Sequence, residues 1–208
     1  MTRFAPILLA ALVAVPAIAG DREASLFYDS APGRSGNISN GSSTTTLESK
    51  RFSGFGLRFG TTIAKIGPAD LSMDATWRVK SKADLNVNGA AFGEYEWGYL
   101  AAGAMVNWHL PVDIGAGLDL RAVTSTLIEE APSGEQRIGV QHFSPWIRAQ
   151  VGYTFPTGPV KPFVRLEAAY DLSSQGDYSY NSSSTDANKA YGVVMPKSEI
   201  SLHVGIRF

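Results

Sequence analysis

The sequence predicts an all-β fold, an eight-stranded antiparallel up-and-down transmembrane β-barrel, and three observations predict it. Apolar and polar residues alternate with period two through most of the chain. The connections between the alternating segments are short and long in strict turn. Charges of both signs recur on the polar face, deep inside the segments.

Composition sets the outer limits. The chain has 208 residues, a net charge of -1 and no cysteine, and 18% of it is charged. That length suits one domain with a short extension. Near-neutral charge without a basic run gives no means of neutralising phosphates, so nucleic acid is not an expected partner. Without cysteine there is neither a disulfide framework nor a thiolate zinc site.

The elements follow in order. Arg3, the apolar run Phe4 to Pro16 and the small residues Ala17-Ile18-Ala19 have the layout of an export signal, which divides the chain into a signal peptide, 1–19, and a barrel domain, 20–208. No later stretch is apolar enough to span as a helix, so a membrane form must cross with strands. A short, loosely patterned strand is expected at Arg22 to Ser30. Phe55, Leu57, Phe59, Thr61 and Ile63 then share one face, and Leu71 to Val79 repeat the pattern after a tight segment at Ala64–Pro68. Tyr95, Trp97 and Tyr99 open the apolar face of a strand over 94–109; after Gly103 apolar residues fall on both parities, which suggests a bulge. Further alternating strands run over Ile114–Ala122, Ile147–Phe155, Val164–Leu172 and Ile200–Phe208. The long connections, 31–50, 83–93, 129–137 and 175–195, are rich in Ser, Thr, Asn and Gly and read as mobile surface loops.

Alternation alone does not say which face points inward. Four features favour the membrane arrangement: long strands, aromatics at strand ends, charges of both signs deep on the polar face, and a last strand that ends in Phe208. Trp77, Tyr95, Trp97, Phe143 and Tyr170 lie towards the long loops, and Tyr153, Phe155 and Phe208 towards the short turns, as two interfacial girdles would. Eight strands leave a lumen that side chains fill, so inward charges must pair. Counting from the turns sets Arg58 opposite Asp74 and Arg148 opposite Glu167, two expected cross-strand ion pairs. Asp119, Arg121, Arg165, Asp171, Glu199, His203 and Arg207 would extend the network.

The terminal Ile200-x-Leu202-x-Val204-x-Ile206-x-Phe208 resembles the β-signal of bacterial outer-membrane proteins. Val151-Gly152-Tyr153-Thr154-Phe155 with Lys161-Pro162-Phe163-Val164 resembles the penultimate hairpin of small barrels related to the OmpA transmembrane domain, OmpX and OmpW. The resemblance implies residence in the bacterial outer membrane, among its lipid and lipopolysaccharide. It also implies the barrel-assembly machinery as a partner that reads Phe208. It implies no periplasmic peptidoglycan-binding domain after that residue.

Chemistry is thin by comparison. His142-Phe143-Ser144 resembles the His-x-Ser of the lipid A deacylases, which are also small barrels. Pro145 stands where those enzymes place Asn, no Glu follows at the expected distance, and both side chains face the lumen by parity. His109, His142 and His203 have no metal-ligand spacing. No catalytic residue, metal site or cofactor is expected. The sequence therefore reads as a structural or surface-interaction barrel acting through extracellular loops on an unnamed ligand. The alternatives are a narrow channel for small or apolar solutes, as an OmpW resemblance implies, and more remotely a lipid A-modifying barrel enzyme.

Overall fold

The computed structural model describes residues 20–40, 43–131, 134–173 and 192–208; the expected signal peptide and most of the last long connection lie outside them. The strands are β1 (Arg22–Ala31), β2 (Ser35–Asn40), β3 (Ser43–Ser49), β4 (Phe52–Ile66), β5 (Ala69–Val87), β6 (Ala90–His109), β7 (Asp113–Ala131), β8 (Gly134–Thr154), β9 (Lys161–Asp171) and β10 (Ser198–Arg207). Eight of them close a ring in the order β1, β4, β5, β6, β7, β8, β9, β10, with every pairing antiparallel. Closure joins the two ends of the domain, since Arg22 and Phe208 exchange both backbone hydrogen bonds at 2.8 Å. A closed ring leaves no strand edge open to lipid.

The outer surface is the apolar one. Leu26, Tyr28, Phe55, Phe59, Trp77, Leu118, Phe143, Leu166, Tyr170 and Val204 all point outward and are largely exposed. Arg58, Arg78, Arg121, Arg148, Arg165, Asp29, Asp119, Glu167 and Glu199 are buried inside. This inversion of a water-soluble core is what a bilayer selects.

The loops depart most from expectation. Residues 35–49 form the β2–β3 hairpin, which attaches to β5 through Leu47↔Val87, Glu48↔Asn86 and Ser49↔Leu85. Thr44, Thr45 and Thr46 are β-branched, and Ile38 and Leu47 turn to one face, so this polar stretch has enough strand character to pair. The expected loop at 83–93 shrinks to a tight turn, where Asn88 and Gly89 both take positive φ (50° and 81°) as a two-residue hairpin turn requires. At 129–137 the strands likewise continue, to Ala131↔Gly134. Strands β5 to β8 thus run 19, 20, 19 and 21 residues. A crossing needs only about 9–11, so their upper halves stand clear of the membrane. The other four ring strands end much lower.

That height explains a reversal on β6. Tyr95, Trp97 and Tyr99 were expected on the lipid side, yet they are 0%, 0% and 3% exposed inside the ring, while Glu94 and Glu96 face out. The phase of the alternation holds, but its meaning changes once a strand leaves the bilayer, because water then wets the outside. Nor is there a bulge after Gly103: β6 pairs with β7 without interruption from Gly93 to His109. The apolar residues there split cleanly, with Met105 inside and Ala104, Val106 and Trp108 outside. The irregularities lie in the β5–β6 pairing, where Val79 and Lys80 together oppose Gly98 and, higher up, Phe92 stands unpaired between Gly93 and Ala91.

Candidate functional site

The lumen is a column of side chains supplied by every strand of the ring. At its short-turn end Glu23 accepts two hydrogen bonds from Arg165 at 2.8 Å and lies 3.5 Å from Arg207. Arg165 also stacks 3.9 Å over Phe163. Above them His203 stacks on Phe27 and meets the Ser201 hydroxyl at 2.9 Å. In mid-column Arg58 donates twice to Glu167 (2.6 and 2.7 Å), and Arg148 donates to Asp74 at 2.6 Å. Arg148 continues to Asp119 at 3.5 Å. Arg121 contacts Asp119 and Glu199, and its guanidinium is held between the rings of Tyr99 (4.2 Å) and Trp146 (3.9 Å). The topmost pair is Arg78 with Asp29, joined by two hydrogen bonds of 2.6 and 2.8 Å, beneath Trp97. A Cβ at Gly54 would fall 2.7 Å from the Arg78 guanidinium, so glycine is what admits that side chain.

Six arginines (58, 78, 121, 148, 165 and 207) therefore face six carboxylates (23, 29, 74, 119, 167 and 199) along this column. The charges cancel. Every arginine except Arg207 is at most 6% exposed. Bidentate, stacked arginine is the cation best suited to so little water, since its planar fork is held by carboxylate and ring together.

The four residues singled out from the sequence all lie in the mid-column cluster, but their short contacts are exchanged. Arg58 is 3.8 Å from Asp74 and Arg148 is 3.7 Å from Glu167, whereas the close partners are Arg58 with Glu167 and Arg148 with Asp74. The registers differ by two residues from a symmetric count: Arg58 opposes Thr76, and Arg148 opposes Ala169. A slip of two keeps each side chain on its face, so the residues still meet, though across the lumen rather than along a hairpin. The remaining network members, Asp119, Arg121, Arg165, Asp171, Glu199, His203 and Arg207, also face inward; Asp171 pairs with Lys197 at 2.8 Å. Phe208 follows the last residue of β10 with its ring half exposed on the outer surface.

Two features of the site had no precedent in the sequence reading. One is the cover of the mouth opposite the short turns. Val194 and Met195 are buried against Leu47, Phe52, Leu85, Tyr95 and Trp97. Their backbone is tied to the β2–β3 hairpin: Arg34 Nη1 donates to the carbonyls of Gly192 (3.4 Å) and Met195 (3.2 Å), and Ser49 Oγ donates to that of Val194 (2.9 Å). The other is His109, set at the short-turn rim between Asp70 (2.9 Å) and Asp113 (2.8 Å), which links β5, β6 and β7. His142 and Ser144 are 6% and 0% exposed inside the ring, where Ser144 accepts a hydrogen bond from Trp146 Nε1. On the outer wall above the membrane, Lys82 lies 2.5 Å from Glu94, whose hydrogen bond and charge raise the lysine's pKa.

An apolar belt around a closed ring of eight antiparallel strands, enclosing a neutralised column of charge, defines the class by its fold: an eight-stranded up-and-down β-barrel of the kind that spans a membrane. Among solved structures it is similar to the outer membrane protein OprG from Pseudomonas aeruginosa, at a TM-score of 0.58 and 11% identity over 92% of this chain and 97% of that one. AlkL, solved in lipid bilayers, matches 92% of this chain and 90% of its own at a TM-score of 0.47 and 11% identity. Neisserial surface protein A covers 88% and 95% at 0.43 and 14%. No family model matches the chain, and no curated protein matches it.

Proposed function

We propose that this protein is a closed barrel with a structural or surface-interaction role, performed by the extracellular parts of β2, β3 and β5 to β8, and that it is neither a conducting channel nor an enzyme. The observation that carries this reading is the filled column. Six arginines and six carboxylates interlock across the lumen, and Val194 and Met195 close its outer end. A solute would have to break several buried ion pairs to pass, each costly to open. Outside the bilayer, by contrast, four strands and a hairpin present a firm sheet with a polar outer face, a form suited to holding a partner. Outer-membrane lipid and lipopolysaccharide would surround the belt, and the barrel-assembly machinery would read the strand ending in Phe208.

Recording from the purified protein in planar bilayers tests the closed state: the expected trace is flat, and long-lived open steps would overturn the proposal. Excising 35–49 with the ring retained is expected to remove surface binding and leave solute uptake unaltered.

A further inference from the structure

The bulge on β5 has a chemical consequence outside the barrel. Two residues, Val79 and Lys80, stand opposite Gly98, and this turns the Lys80 side chain onto the outer wall. Its stem lies across β6, where a Cβ at Gly98 would come within 2.9 Å of Lys80 Cγ and 3.0 Å of its Cα and N. Its ammonium reaches Thr126 Oγ1 on β7 at 3.4 Å. Gly98 pairs with Thr124, which pairs with Gln141, so glycine, threonine and an exposed amide form a low floor beside the lysine.

The row beneath, one step closer to the membrane, is apolar: Trp77, Leu100, Ala122 and Phe143 are adjacent across β5 to β8. The row above is polar. There Lys82 is engaged by Glu94, and Glu96 sits between Lys82 and Thr126. Lys80 is therefore a cation at the upper rim of the lipid belt, on the side away from the short turns. Such a position lies at the level of lipid headgroups.

We propose that Lys80, with Thr124, Thr126 and Gln141, forms a binding site for the phosphorylated headgroup of an outer-leaflet glycolipid whose acyl chains lie on Trp77, Leu100 and Phe143. The occupant is a lipid rather than free phosphate because the cationic floor is continuous with the apolar belt. One ligand then satisfies both. Its phosphate would accept from the ammonium, the two hydroxyls and the amide, while Gly98 lets the headgroup approach the sheet. The inference rests on the placement of the long loops outside the cell.

The test uses the folded barrel in zwitterionic nanodiscs, titrated with bisphosphorylated lipid A and with its dephosphorylated form, and read by intrinsic tryptophan fluorescence and native mass spectrometry. Lys80→Ala is expected to weaken binding of the phosphorylated lipid about five-fold. Lys80→Arg should retain it, and Glu96→Gln should tighten it by removing a neighbouring negative charge. Millimolar inorganic phosphate should not compete. Equal affinity of wild type and Lys80→Ala, or of the two lipid forms, would overturn the site, as would displacement of the lipid by free phosphate. The heat-modifiable gel shift of each variant reports folding separately. If the wild type were to lack that shift, the barrel assignment itself would fail, a different outcome from an indifferent Lys80.

Discussion

Arg58 and Glu167 meet through two hydrogen bonds with almost no water nearby, and Thr76 takes a third from the Arg58 Nε at 3.0 Å. Deleting one partner of such a pair strands the other charge, while deleting both removes the problem. Arg58→Met alone is expected to destabilise the barrel by about 3–5 kcal/mol, and Arg58→Met with Glu167→Leu by markedly less. Urea unfolding in lipid vesicles measures both; equal losses from the single and double variants would contradict a coupled pair. At this scale the sequence was informative about sides and poor about neighbours. The parity of Arg58, Asp74, Arg148 and Glu167 is written in the alternation. Which carboxylate each arginine grips depends on where the turns centre, and on a shift in pairing between Thr62 and Ala64 that composition does not announce. The stacking of Arg121 between Tyr99 and Trp146 was equally hidden, since those three residues lie on different strands.

Elements add a second kind of evidence. The segment 192–197 crosses the mouth as a strap, and its ties run to the β2–β3 hairpin through Arg34 and Ser49, and to the end of β9 through Lys197 and Asp171. Those two parts of the surface behave as one unit. Because the chain has no cysteine, the arrangement can be probed cleanly. Met195→Cys should resist a membrane-impermeant maleimide, and adding Arg34→Ala with Ser49→Ala should raise its labelling rate about ten-fold or more, as an opening equilibrium shifted by some 1.4 kcal/mol would. Labelling at one rate in both backgrounds would show that Arg34 and Ser49 do not hold the strap. The hairpin was misread as loop because Ser, Thr and Asn dominate it, although its threonines are good strand residues whenever a neighbouring strand offers hydrogen bonds. The tall strands were cut short for a related reason. Their upper halves exchange the polar and apolar sides, so Glu94 and Glu96 are the water-facing side of a strand that turns Leu100 and Ala102 outward lower down.

At the scale of the whole molecule more was legible in the sequence than at either smaller scale. The eight strands of the ring and the inverted surface follow from periodicity, whereas the strands continue through the expected long connections at 83–93 and 129–137, the first of which is a tight turn. What it left out is height: β5 to β8 rise far above β1, β4, β9 and β10, so the barrel has a tall side and a low side. Phe208 belongs to this scale too, because its backbone closes the ring against Arg22. Removing Phe208 is expected to reduce assembled barrel in cells several-fold while leaving the purified chain able to refold in vesicles. Equal loss in both settings would assign the residue to stability and not to assembly.

The cancellation of charge in the column has an electrical meaning. A charge moved across a membrane potential gains about 2.3 kcal/mol per ~100 mV, and voltage can drive a structural change only through a net valence that moves. The six positive and six negative groups locked to one another between Glu23 and Trp97 carry none among themselves. A field across the membrane pulls on each group and on its partner in opposite directions, and the ion pairs absorb the difference. The barrel is a dielectric plug: its conformation should be as indifferent to the sign of an applied potential as to its size.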